Sequence, residues 1–352
     1  MLEQAEAVDY LLRRGLLEPE AVVAGDLVVR DVSSRNRNFA VEAGEGNSYL
    51  LKQGRSVEGA STVAREAAVY ERLVSEGEEL GSCLPGFVGY DADAGVLVLE
   101  LLHEAEDLRG HHLRLGEFPA AIGEALGTAL GTLHRETRAT YPEARPPWVL
   151  SIHRPDTGVF RDVSAANLGL IKIVQNADGL GKRLDELRAG WRVEALIHQD
   201  VKWDNCLVTD DDRLRLIDWE IAVAGDPCWD LGSALSQYLT FWLFSIPVTG
   251  SEPPAQFPAL ARYPLDAMKS ALRACCEGYA AAADSQEPAE ELLRRTVAYA
   301  GVRLIQNAFE ASQFAQRLDS AAILHLQLGA NLMQRPNDAA EQLLGLTAAA
   351  PA

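Results

Sequence analysis

Apolar residues along this chain recur with two periods, and the change between them divides it in two. Near the start, Ala7, Val8, Leu11, Leu12 and Leu16 fall at helical spacing over residues 2–17, with Gly15 close to the end of that run. Short β-rich runs follow at 26–32, 38–42 and 47–53, and Gly44-Glu45-Gly46 reads as the turn between the last two. Val63, Ala67, Val69, Tyr70 and Leu73 then return to helical spacing over 62–75. Two more strands are predicted at 87–90 and 96–102, joined by a hairpin loop at 91–95. From there the helical period dominates, at 118–137, 180–189, 264–283, 288–314 and 321–333. Pro264 and Pro288 suit a first helical position, where the missing N–H costs no bond. The exception is a β-pair at 206–208 and 214–217 around the acidic turn Asp210-Asp211-Asp212. The pattern predicts a bilobal α+β protein. A small antiparallel β-rich lobe spans 1–102 and a larger helical lobe spans 103–352, with ligands expected in the cleft between them.

Composition narrows the function classes. The 352 residues are 48% apolar, enough for a large core and two lobes. The net charge of −19 arises from 32 basic and 51 acidic residues. Such a chain repels nucleic acid and anionic membrane surfaces, so neither is expected as a partner. The start Met1-Leu2-Glu3-Gln4 lacks the basic and apolar regions of a signal peptide, and the apolar run at 241–248 is too short to span a bilayer. Five scattered cysteines, without a C-x-x-C pair, read as reduced thiols, and a cytoplasmic location is expected.

The chemistry sits on the β-pair. His198-Gln199-Asp200-Val201-Lys202-Trp203-Asp204-Asn205 reads H-x-D-x-x-x-x-N, and Asp218 ends an apolar run thirteen residues after Asn205. Phosphoryl transfer needs one group to orient the attacking hydroxyl and oxygen ligands for magnesium. Asp200 is the candidate base, Asn205 and Asp218 are the candidate magnesium ligands, and Lys202 is placed to reach the γ-phosphate. His198 is expected to hold the loop rather than titrate. Lys52 ends the strand Tyr49-Leu50-Leu51-Lys52, the context of a lysine on α/β-phosphates. Glu66, on the following helix, is its expected partner, because Glu71 lies off that face.

With these residues in place the chain resembles the aminoglycoside phosphotransferase and choline kinase superfamily, which shares the protein-kinase-like fold, from about residue 26 to 238. The loop motif, Ile217-Asp218-Trp219-Glu220 and Gly225-Asp226-Pro227-Cys228-Trp229-Asp230-Leu231-Gly232 carry the resemblance. It implies magnesium and ATP, the γ-phosphate moving to a hydroxyl, with Asp230 bracing the catalytic loop. It also implies adenine on the backbone at Glu100-Leu101-Leu102, and phosphates covered by Ser34 and main-chain N–H groups of the loop Ser33-Ser34-Arg35-Asn36-Arg37-Asn38, with Arg35 and Arg37 adding charge. Lys202 stands where many antibiotic kinases of this group carry histidine. Glu220, with Glu104, Glu106 and Asp107, would line the acceptor side. An insert at about 141–191 would either define the acceptor or pack for stability. His111-His112 reads as a surface loop feature. The acceptor is expected to be a small alcohol or Ser/Thr of a peptide. The peptide alternative resembles phosphotransferases of class V lanthipeptide pathways, where a lyase would be a partner. An alternative of another class is a nucleotide-binding pseudokinase scaffold.

Overall fold

A computed structural model describes the chain apart from residues 1, 34, 45, 139–145, 159–162, 248–255 and 348–352. Its contacts group into two units, Met1–Leu108 with Asp204–Ala222, and Arg109–Trp203 with Val223–Ala352.

The first unit is built on a five-stranded antiparallel sheet of order β1-β2-β3-β5-β4. Its strands are β1 (Leu27–Asp31), β2 (Arg37–Ala43), β3 (Tyr49–Gln53), β4 (Phe87–Asp91) and β5 (Val96–Glu100). Side chains alternate across a strand, so register decides which residues share a face. Phe39 pairs with Leu51 and Leu51 with Val98; Val41 pairs with Tyr49. That face packs on Ala7, Tyr10 and Leu11 of helix α1 (Ala7–Arg13). The alternate set, including Lys52 and its register partners Asn38 and Leu97, lies on the other face. Helix α2 (Val57–Glu76) packs against β3, β4 and β5 and buries Val63, Glu66, Ala67, Tyr70 and Leu73. It starts five residues before the periodic pattern because Ser56 Oγ accepts the Gly59 N–H at 3.0 Å, an N-cap.

A second sheet, β6-β8-β9, joins β6 (Glu106–Asp107) to β8 (Cys206–Val208) and β9 (Leu214–Leu216). The expected boundary near residue 102 left 204–222 with the helical lobe. The contacts place them in the first unit, because Glu106 and Asp107 pair with Val208 and Leu207 and the Leu216 N–H donates to the Cys83 carbonyl at 2.8 Å.

In the second unit β7 (Ala195–Ile197) pairs antiparallel with β10 (Val223–Gly225) among helices. These include α3 (Leu108–Leu115, whose first residue groups with the other unit), α4 (Ala120–Glu136), α5 (Ala165–Asn176) and α6 (Leu180–Ala189). They continue with α7 (Pro227–Phe244), α8 (Leu265–Ala283), α9 (Ala289–Ala311) and α10 (Ser320–Gln334). Helix α7 is buried from Pro227 to Leu243. It is buried on every side, its polar residues included, so no amphipathic period announced it. Helices α4 and α8 approach until Gly123, Gly127 and Gly131 meet backbone; a Cβ on Gly127 would lie 1.9 Å from the Cys275 carbonyl oxygen. Pro264 and Pro288 sit one residue earlier than expected, as N-cap residues in extended conformation. In the described part of the insert, Val149, Leu150, Leu170, Ile171, Leu180 and Leu184 join the core with Trp229 and Tyr299. His111 and His112 are buried on α3, not in a surface loop.

Candidate active site

In the first unit the sheet and α2 bring Lys52 and Glu66 together. Lys52 Nζ lies 2.7 Å from Glu66 Oε2 and 3.0 Å from Asp218 Oδ1. Glu66 is fully buried and Lys52 nearly so. Two charges leave water at several kcal/mol each unless paired, and here one cation serves two carboxylates. Burial pushes the Lys52 ammonium down, but Glu66 and Asp218 outweigh it and hold the pKa above its ordinary value. Burial raises Glu66, opposed by Lys52. Glu71, the competing partner, is exposed.

Asp218 follows β9 with φ +68°, a left-handed conformation that few residues other than glycine adopt and that aspartate accepts more readily than most. The turn is held on both sides. The Ile217 N–H donates to the Asn205 carbonyl at 3.0 Å, and Trp219 Nε1–H donates to the Leu216 carbonyl at 3.1 Å. Since Cys206 pairs with Leu216, the hairpin puts Asn205 and Asp218 side by side at one end of the ladder. An amide oxygen and a carboxylate are hard oxygen donors of the sort magnesium takes alongside phosphate oxygens.

In the second unit the loop after β7 is fixed by α7. Asp230 accepts the His198 N–H at 2.6 Å on one oxygen and the Gln199 N–H at 2.9 Å on the other, and His134 Nε2 lies 3.3 Å from it. Trp229 Nε1–H donates to the Gln199 carbonyl at 3.0 Å. These bonds hold Gln199 at φ +69° and present Asp200. Asp200 Oδ2 accepts from Lys202 Nζ at 2.8 Å, and Oδ1 accepts from Arg303 Nη2 at 3.3 Å. Burial pushes the Asp200 pKa up, yet Arg303 first and Lys202 second outweigh it and hold it below the usual carboxylate range. His198 is buried, and its Nδ1 lies 3.4 Å from the Asp200 N–H.

Each unit thus gathers part of the expected set, Lys52, Glu66, Asn205 and Asp218 in one and His198, Asp200, Lys202 and Asp230 in the other. Ser34 lies outside the described residues. Glu100 ends β5, its N–H donating to the Gly86 carbonyl at 2.8 Å, and Leu102 is the second residue past that strand. The carboxylate of Glu220 is paired with Arg35 at 3.2 Å. Arg37 turns to Glu3 at 2.8 Å and the Leu2 carbonyl at 2.6 Å, so it is tied to the N-terminal segment rather than offered to phosphates. Two side chains about this loop were not assigned to it from sequence, His134 and Arg303. They come from helices whose apolar periodicity masks single polar positions.

A family model described as "Phosphotransferase enzyme family" matches residues 28–275. Among solved structures, a choline kinase from Streptococcus pneumoniae is 15% identical, with 93% of this chain and 99% of that one covered at TM-score 0.50. An ethanolamine kinase from Plasmodium vivax is 13% identical, with 92% and 86% covered at TM-score 0.54. An amicoumacin kinase in complex with AMP-PNP, Ca2+ and Ami is 15% identical, with 94% of each chain covered at TM-score 0.52. At these identities the likeness is one of fold, and it agrees with the α+β architecture expected from the sequence.

Proposed function

Since the chain belongs to the phosphotransferase enzyme family, we propose that it transfers the γ-phosphate of magnesium-bound ATP to a hydroxyl of a small molecule. The observation that carries this is Lys52 held between Glu66 of α2 and Asp218 at the end of β9. A buried lysine kept charged and aimed by two carboxylates is a phosphate contact in waiting. In the transfer the bond from the γ-phosphorus to its bridging oxygen breaks with the electron pair leaving on ADP, a bond to the acceptor oxygen forms, and the hydroxyl proton passes to Asp200. Asp200 orients that hydroxyl, and Lys202 offsets charge on the phosphoryl oxygens. Asn205 and Asp218 would hold the magnesium, whose chemistry is to neutralise phosphate charge. The acceptor class is supported by structures of like fold, kinases of choline, ethanolamine and amicoumacin. The charge of −19 favours a cationic acceptor.

The test is mass spectrometry of acceptor mixtures incubated with magnesium-ATP, one of amino alcohols and amino sugars and one of Ser/Thr peptides. A phosphoryl mass gain in the first, absent with Asp200→Ala, is expected. A gain only in the peptides replaces the acceptor class. Nucleotide binding without a gain in either replaces catalysis by a scaffold role. Asp218→Ala is expected to weaken magnesium-nucleotide binding, which Asp200→Ala leaves largely intact.

A further inference from the structure

Arg303 lies in the middle of α9, 103 residues from Asp200 along the chain, and only 1% of it is exposed. Its Nη2 donates to Asp200 Oδ1 at 3.3 Å, its guanidinium carbon lies 5.6 Å from the centre of the Trp229 ring, and its Nε has no hydrogen-bond partner among the described residues. A guanidinium so desolvated costs several kcal/mol unless a counter-charge repays it. An apolar side chain of similar volume would fill the same space at less cost, so packing does not account for the charge.

The surroundings indicate what the charge does. The loop from His198 to Asp200 is pinned at its backbone by Asp230 and Trp229, and Trp229 also stacks under Arg303. The two oxygens of Asp200 are divided between two cations of different mobility. Lys202, 38% exposed in its side chain, takes Oδ2, and Arg303 takes Oδ1 from the core. Lys202 sits two residues along the same loop and can leave Asp200 for a phosphoryl oxygen. Arg303 cannot leave, because its stem is enclosed in α9 packing.

Resting on the assignment of Asp200 above, we propose that Arg303 is a positioning residue for the reaction, fixing the carboxylate that meets the acceptor hydroxyl while Lys202 turns to the phosphate. Its charge also acts through the Asp200 proton equilibrium, together with Lys202 and His198 of the loop. With Arg303 in place the carboxylate stays ionised well into acid. Without it, burial raises the pKa and the acidic limb of turnover moves toward neutrality.

Four proteins test this: Arg303→Gln, Arg303→Lys, Asp200→Asn and the Arg303→Gln/Asp200→Asn double variant. Urea denaturation of these with the wild type forms a double-mutant cycle that needs no acceptor and no assumption about activity. Asp200→Asn leaves the buried Arg303 charge unmatched and Arg303→Gln leaves Asp200 to Lys202, so the double variant is expected to be more stable than the two losses added. Additive losses overturn the pairing. The second readout is the pH profile of ATP turnover, with acceptor or with water. For Arg303→Gln, kcat at pH 7 is expected to fall about 10- to 100-fold with KM for ATP unchanged, and the acidic limb to shift toward higher pH; Arg303→Lys recovers part of both. A wild-type kcat and profile in folded Arg303→Gln leave only a structural contact and overturn the positioning role. Wild-type protein that turns over no ATP under any condition fails the phosphotransfer reading itself, and this inference falls with it whatever the cycle gives.

Discussion

Replacing His112 by phenylalanine should invert the stability order of wild type and variant between pH 7.5 and pH 4.5. His112 is fully buried on α3, its ring 4.8 Å from the rings of Phe118 and Trp203 and 6.0 Å from that of Tyr238. Its Nδ1 lies 3.0 Å from the Glu117 carbonyl oxygen, which can only accept, so the neutral ring carries its proton on Nδ1 and leaves Nε2 with no partner among the described residues. A second proton would put a charged N–H among aromatic rings. Burial, with a smaller push from His111, therefore takes the pKa from 6.5 down to about 4, against the bond to Glu117. In the pH window between those values the unfolded chain binds a proton that the native protein refuses, so stability falls as pH falls. One pKa unit is about 1.4 kcal/mol, so the full window is worth about 3 kcal/mol, most of it lost by pH 4.5. Phenylalanine keeps the aromatic contacts and does not titrate, but gives up one hydrogen bond, about 1 kcal/mol. The variant should then be about 1 kcal/mol less stable at pH 7.5 and more stable at pH 4.5. Urea denaturation at several pH values, followed by tryptophan fluorescence with Trp203 as the neighbouring reporter, gives the difference curve. Titrations common to both proteins, including that of buried His325, cancel in it. Parallel curves across the window would refute the reasoning.

Glu66→Gln leaves Lys52 with Asp218 alone, and nucleotide affinity should fall about tenfold or more, the worth of a charge-assisted hydrogen bond, as read by nucleotide titration. Asp230→Asn replaces one of two accepting oxygens by a donor facing an N–H of the loop, so about 2–3 kcal/mol of stability should be lost in urea denaturation, and turnover should drop further than nucleotide affinity. Gly127→Ala forces a methyl against the Cys275 carbonyl. Overpacking of about 1–3 kcal/mol should lower the melting temperature by about 2–4 °C per kcal/mol, with the nucleotide residues untouched.

The sequence by itself determined what rests on short-range backbone geometry. Asn205 and Asp218 flank one hairpin, whose ladder register follows from its own residues. Lys52 and Glu66 each sit on an element with a clear period, one of two and one of 3.6, and the periods fix their faces. Asp230 came with its motif, and the helix behind it supplies the geometry that motif requires. Only the tertiary structure decided what depends on packing between distant segments. Helix α7 has no exposed face to reveal it, because neighbours cover every side. His111 and His112 are polar in the sequence and buried in the fold, since the helix they lie on is covered by Phe118, Trp203 and Tyr238. Arg37 serves Glu3 rather than a phosphate. Arg303 and His134 reach the catalytic loop from helices far away in the chain. Periodicity reports which face of an element is covered. It carries no information on which distant side chain does the covering, and a buried charge finds its partner only once those faces have met.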